Sequence, residues 1–287
     1  MDGVLVIDKP AGLTSFDVVK RVRTRLGEKK AGHTGTLDPM ATGVLPVCLG
    51  EATKIAGLIT EGDKSYDAVL RLGVETDTLD ALGKEVRRAP VPRLSRERIE
   101  DALTRFRGSF LQEPPMYSAV KIAGKRLYEH ARAGEEVERA ARPVTVHALT
   151  LVDFAAEEIQ LTVRCSKGFF VRVLAQDVGR ALGCGAHLRA LRRTHSGPFS
   201  LRQAVTLDVL EKGGAAAVTL VAPADALSEM PAITVDAEQA RRVRHGVPLE
   251  VAKEGRLRVL GPSGELLAVA EAEQGRLKYL RVMVAPA

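Results

Sequence analysis

Two segments of alternating apolar and polar residues, Tyr66–Leu72 and Ile159–Cys165, stand far apart in the chain, with helical patterns between them. Successive side chains of a strand point to opposite faces, so Tyr66, Ala68, Leu70 and Leu72 share one face. Between the two strands, Ser95 is set to cap a helix with Ile99, Ala102, Leu103 and Phe106 on one side and Gly108 closing it. Val171–Leu182 is amphipathic and helical, and Gly183-Cys184-Gly185 stops it. Upstream, Val4–Ile7 reads as a short buried strand and Lys9-Pro10-Ala11-Gly12 as a turn. Ser15 is a good cap for a helix with apolar face Phe16, Val19, Val22 and Leu26, ended by Gly27. Strands that pair over long separations, mixed with helices that cover them, predict an α+β fold. Its substance is a mixed or antiparallel sheet flanked by helices.

The chain has 287 residues, 45% hydrophobic and 27% charged, enough for a large core with a smaller companion domain. No internal repeat is visible. Pro223–Pro231 reads as a linker, after which the texture changes. Asp236-Ala237-Glu238-Gln239 is a capping-box variant opening a short helix through His245, stopped by Gly246. Short strand-like runs follow, Val247–Val251, Leu257–Leu260, Leu266–Ala270 and Tyr279–Val284, and they predict a small β-barrel-like module. The expected division is therefore 1–229 and 230–287. The longest apolar stretches, Val44–Leu49 and Ala215–Ala224, fall far short of the roughly 20 residues of a membrane span. The N-terminus lacks a basic segment followed by a long apolar one, so no secretory signal is expected. Three cysteines with no CxxC pair argue against a disulfide framework or a zinc knuckle, and for a reducing cytoplasm.

Charge points to a partner. Lys+Arg number 42 against 36 Asp+Glu, and the surplus is concentrated. Lys20–Lys30 holds six basic residues against Glu28 alone; Arg164–Arg202 holds eight against Asp177 alone. Basic stripes of this kind suit a phosphate backbone, and Arg189, Arg192 and Arg193 are the expected contacts. A solvated face, or pairing with acidic residues elsewhere, is the competing reading. The densest chemical signal is Gly32–Val47 (GHTGTLDPMATGVLPV), a Gly-rich loop that presents one carboxylate, Asp38, and runs into an apolar strand. Pro39 biases Asp38 toward an extended backbone. The loop matches neither GxxxxGK[ST] nor GxGxxG, so a nucleotide cofactor has no support.

This loop resembles the catalytic motif of the TruB family of pseudouridine synthases. Further segments resemble that family in the expected order: GVLVIDKPAGLTSFD at Gly3–Asp17, CLGEATK at Cys48–Lys54, Lys64–Tyr66, and LGVETDTLD at Leu72–Asp80. PMYSAVKIAGKRLY at Pro115–Tyr128, Arg142–Val146 and Cys165–Arg193 extend the likeness over most of residues 3–200. The resemblance implies a pseudouridine-synthase-like catalytic domain followed by a small RNA-binding barrel of the PUA type. It implies an enzyme that flips uridine-55 out of the T loop of tRNA, breaks N1–C1′ and joins C5 to C1′. No cofactor, metal or protein partner is implied. Asp38 corresponds to the catalytic carboxylate, with attack on C1′, attack on C6 and removal of a sugar proton all open. Arg172 corresponds to the arginine that pairs with it, Tyr66 to the stacking tyrosine and Leu191 to a contact near the uracil. His33 matches the histidine that supports the T loop; Lys9 and Lys54 are weaker matches among the substrate-binding residues. Where many members carry tyrosine in CSKGTYIR, this chain has CSKGFFVR, so Phe170 supplies a ring without a hydroxyl. Against the enzyme stand a non-catalytic RNA-binding or RNA-folding protein, a hydrolase using Asp38, and a synthase dependent on a guide RNA. The hydrolase is weakest, because no second carboxylate flanks Asp38 at a recognisable spacing.

Overall fold

The computed structural model of the chain describes residues 1–122 and 124–283, so Val284, the end of the last expected strand, lies outside the described residues. The first third runs β1 (Gly3–Lys9), α1 (Ser15–Leu26), β2 (Ala31–His33), β3 (Thr42–Leu49), α2 (Ala56–Thr60), β4 (Lys64–Leu72), β5 (Val74–Thr76) and β6 (Glu85–Arg88). The middle runs α3 (Arg96–Thr104), β7 (Gly108–Gln112), β8 (Lys121–Ile122), β9 (Lys125–Arg126), α4 (Leu127–Arg132), β10 (Arg142–Ala155), β11 (Glu158–Cys165) and α5 (Val171–Leu182). Then come β12 (Ala186–Ser196), β13 (Phe199–Ser200), β14 (Val205–Thr206) and α6 (Leu207–Gly213). The chain ends in β15 (Ala232–Thr234), α7 (Ala237–Arg244), β16 (Gly255–Leu260), β17 (Leu266–Glu273) and β18 (Arg276–Val282).

A ten-stranded mixed sheet dominates, ordered β14-β1-β3-β12-β4-β11-β10-β7, with β2 also on β3 and β13 on β12. The two expected alternating strands, β4 and β11, are neighbours in it, Tyr66 opposite Val163 and Leu70 opposite Ile159. β1 with β14 and β3 with β12 are parallel; the other pairs are antiparallel. β3 is shared along one edge: Thr42 and Gly43 pair with Arg192 and Arg193, while Val47–Leu49 pair with β2. That junction requires glycine. Gly43 has φ +101°, and a Cβ there would stand 2.2 Å from the Arg193 carbonyl oxygen. Helices α1, α3 and α5 cover one face, burying Val18, Val22, Ile99, Leu103, Leu174 and Val178 against Leu5, Leu45, Leu70 and Leu161.

Local expectations shift by a residue or so. Thr14, not Ser15, caps α1: its hydroxyl accepts from Asp17 N–H while the Asp17 carboxylate accepts from Thr14 N–H. Ser15 faces inward with Val18, Val19 and Val22, an i, i+3, i+4, i+7 stripe, so Phe16 is turned outward and 69% exposed. Helix α3 stops at Thr104, ahead of Phe106 and Gly108; Phe106 packs edge-on against Phe110, which meets Phe169 the same way.

The C-terminal module is a four-stranded sheet, β15-β16-β17-β18. Val247–Val251 forms no strand of its own. Its Val251 N–H donates to Gly275 O and its Leu249 O accepts from Leu277 N–H, extending the β18 edge. Pairing among the described residues does not close this sheet into a barrel. Nor is Pro223–Pro231 a free linker. Ala226 and Leu227 are buried with Val4, Val6, Val44 and Phe199 of the large sheet and with Leu266, Val269 and Met283 of the module. The Arg258 guanidinium ties the same stretch down through the carbonyls of Ala224, Ser228 and Met230. No helix among the described residues is long and apolar enough to cross a membrane.

Candidate active site

Asp38 sits where the loop between β2 and β3 folds back on the rest of the sheet. Its carbonyl accepts from Ala41 N–H at 3.0 Å, closing a turn with Pro39 in the second position. Three anchors fix that turn. Leu37 N–H donates to the Ser15 hydroxyl at 2.8 Å, Gly12 N–H donates to Pro39 O at 2.8 Å, and the Lys9 ammonium donates to Pro39 O at 3.3 Å. The backbone needs are met without the Asp38 side chain, which is left for Arg172.

The Arg172 guanidinium, buried at the start of α5, grips both oxygens: Nε to Asp38 Oδ2 at 2.9 Å and Nη2 to Oδ1 at 3.3 Å. Its remaining protons go to Thr78 O at 3.0 Å and Tyr117 O at 2.7 Å, with Asp80 Oδ2 at 3.8 Å. Every donor of the fork is directed, so the arginine is rigid. Asp80 is a second, buried carboxylate beside the pair, which the sequence reading did not foresee. It lies at the end of LGVETDTLD, and pairing of that segment with Leu188 of β12 holds it beside Arg172. Burial pushes the Asp38 carboxyl above its ordinary value, and the Arg172 charge, the next largest influence, pulls it back.

Asp38 opens into a cavity of about 290 Å³, walled by Tyr66, Phe169, Phe170, Leu37, Val120 and Leu191. Asp38 is 31% exposed there and is its one acidic lining residue among those described. Burial pushes the Tyr66 phenol up, so it stays neutral. Gln112, also unforeseen, clamps Phe170: its amide oxygen accepts from Phe170 N–H at 2.8 Å and its amide nitrogen donates to Phe170 O at 3.2 Å. A larger cleft of about 690 Å³ lies alongside, bordered by Gly12, Met40, Leu82, Val152, Arg189 and Arg192, and Leu191 lines both spaces.

The structure thus brings Asp38, Tyr66, Phe170, Arg172 and Leu191 together, and places three other expected residues elsewhere. His33 is on β2 opposite Val47, outside the cavity lining; burial and the Arg193 and Arg126 charges hold its imidazole below its usual value. Lys9 has no exposed surface. Its three protons go to Pro10 O, Leu13 O and Pro39 O, so it supports the Asp38 turn from behind. Desolvation lowers its pKa to about 8. Lys54 pairs with Glu51 at 2.6 Å and donates to Val282 O at 3.1 Å, joining the two sheets away from Asp38.

The basic stripe is also revised. Arg193 is 1% exposed and donates to Val44 O and Gly35 O, bracing the β3–β12 junction. Arg189 pairs with Glu158, Arg192 with Asp8, Arg164 with Asp63 and Lys167 with Glu61. Only long-range pairing, invisible in a linear charge count, shows this.

Comparison with known proteins finds similar chains over nearly the full length. The pattern "TruB family pseudouridylate synthase (N terminal domain)" matches residues 23–171. "tRNA pseudouridylate synthase B C-terminal domain" matches 172–227, and "tRNA Pseudouridine synthase II, C terminal" matches 230–284. The chain is 48% identical to the tRNA pseudouridine synthase B of Burkholderia mallei, over 99% of this chain and 97% of that one. It is 50% identical to the protein of the same name from Aromatoleum aromaticum, over 95% and 89%. Among solved structures, an H/ACA RNP bound to a substrate RNA containing 2′-deoxyuridine includes a chain with the same fold. That match has a TM-score of 0.77 at 23% identity, covering 99% of this chain and 85% of that chain. The TruB match over residues 23–171 and the near full-length relatives agree: the chain belongs to the TruB family of pseudouridylate synthases.

Proposed function

We propose that this protein converts uridine-55 in the T loop of tRNA to pseudouridine, acting on the T-stem-loop by itself in the cytoplasm. Residues 1–229 form the catalytic domain in this reading, and 230–287 a PUA-like RNA-binding module. The observation that carries it is one carboxylate, Asp38, locked by a buried arginine at the wall of a largely apolar cavity of about 290 Å³, roomy enough for a flipped base. The target base leaves the RNA stack at a cost of a few kcal/mol, offset by stacking on Tyr66 and against Phe170. Arg172 keeps the carboxylate ionised and aimed while the base displaces water. The reaction is an isomerisation: N1–C1′ breaks, C5–C1′ forms, C5 loses a proton and N1 gains one. Asp38 supplies the nucleophile or base, with Lys9 and Ser15 holding its turn.

Leu191 connects the cavity to the larger cleft, where Arg189 and Arg192 are half-exposed and suited to meeting backbone phosphates. The test is incubation with an unmodified tRNA transcript and mapping of pseudouridine to the nucleotide. Asp38→Asn, nearly isosteric, should bind tRNA and form none. Turnover within tenfold of wild type would remove Asp38 from the chemistry.

A further inference from the structure

The cavity holds one buried polar side chain that the chemistry above leaves unused. Ser118 is 5% exposed, lines the cavity, and its hydroxyl has no hydrogen-bond partner within the protein. Its backbone is fixed on both sides: Ser118 N–H donates to Met116 O at 3.0 Å, and Tyr128 N–H donates to Ser118 O at 3.1 Å. The preceding carbonyl, Tyr117 O, anchors Arg172, so Ser118 is one residue from the guanidinium that holds Asp38. The other polar groups of the lining are committed or peripheral. Arg172 has each donor directed at Asp38, Asp80, Thr78 or Tyr117, and Thr36 is exposed. Phe170 has no hydroxyl.

A planar base between Tyr66 and Phe170 would bury its carbonyl edge, and a buried carbonyl without a donor is costly. The geometry points to Ser118 as the side chain that holds the carbonyl edge of the extruded uracil, an inference that rests on the function proposed above. The chemistry favours a hydroxyl in that place. When N1–C1′ breaks and C5–C1′ forms, the ring turns about the axis through N3 and C6. N1 and C5 exchange places, and O2 and O4 exchange with them. A donor fixed on the wall therefore meets a carbonyl oxygen before and after the turn. Rotation of the Ser118 hydroxyl accommodates small differences between the two.

The test is single-turnover kinetics on a T-stem-loop hairpin carrying uridine, 2-thiouridine, 4-thiouridine or 2′-deoxyuridine at the target. Wild-type enzyme must convert the uridine hairpin; failure there overturns the function and this inference with it. Given conversion, Ser118→Ala should lower kcat/KM about tenfold with an unchanged melting temperature. At least one thio substitution should slow wild type yet add less than twofold to the alanine variant. Ser118→Cys, close in volume and a weak donor, should fall between the two and covers an alanine variant that folds poorly. Wild-type kcat/KM in both variants overturns the inference. So do alanine and thio effects that multiply for both thiouridines. An alanine effect that vanishes only with 2′-deoxyuridine would place the hydroxyl on the sugar and overturns it equally.

Discussion

Arg172 sits between two carboxylates, and its removal has a signed consequence. In the proposed reaction Asp38 must be ionised to act, so activity should fall as pH drops through its folded-state pKa, which burial has raised above 3.8. Arg172 opposes that rise. Arg172→Gln should therefore move the acid limb of kcat/KM to higher pH and lower the plateau on the order of a hundredfold. A limb that stays in place would show that Asp38 does not set it. Stability follows the same linkage: in the interval above the ordinary value the folded state keeps a proton that the unfolded chain has lost. The Asp38 contribution therefore falls as pH rises through that interval. The basic residues separate in a similar experiment. Arg192→Gln, half-exposed at the cleft, should lower the salt slope of tRNA binding by about one. Arg193→Gln should lower the melting temperature, because the carbonyls of Val44 and Gly35 lose their donor, and leave the slope alone. Binding measured at several salt concentrations beside thermal melts tests both.

The proposed active site is the meeting point of elements that are individually ordinary. The β3–β12 junction is two residues long, Thr42 and Gly43 on Arg192 and Arg193, and because the pair is parallel the Asp38 loop and Leu191 enter it at the same end. Gly43→Ala places a Cβ against the Arg193 carbonyl in a backbone region that L residues rarely adopt. Strain and overpacking together should cost roughly 2–6 kcal/mol. A chemical melt within 1 kcal/mol of wild type would show that the junction yields. Helix α5 places Arg172 in its first turn, and the Gln112 clamp fixes where that turn begins. Strand alternation and the Gly183 stop made β4, β11 and α5 readable in the sequence. Gln112 was not readable, because a side chain capping a helix from another strand leaves no local signal.

Across the whole molecule, the two sheets share a core. β17 is buried on both faces, Leu266 and Val269 toward β1 and β3, Leu267 and Ala268 toward α7. The module is thus part of the folding unit, with Lys54 reaching across to Val282. Lys54→Met should lower the melting temperature by a few degrees and leave the single-turnover rate on bound tRNA within twofold. A rate loss without a stability loss would return Lys54 to the site. The stability effect is modest because the ammonium is partly exposed and retains water as an alternative partner.

Resemblance to the TruB family singled out Asp38, Tyr66, Arg172, Phe170 and Leu191, and what the sequence determined by itself was the α+β class and the principal strands and helices. Those follow from period, caps and motifs, which are properties of neighbouring residues. The tertiary structure alone decided which charges are free. It turned Lys9 and Arg193 into buried braces, gave Lys54 to the second sheet, drew Asp80 to Arg172 and left the Ser118 hydroxyl unpaired in the cavity that Asp38 lines. The reason is that a partner for a charge or a hydroxyl is chosen in space, between segments far apart in the chain. A side chain's chemistry depends on that partner and on whether water can reach it.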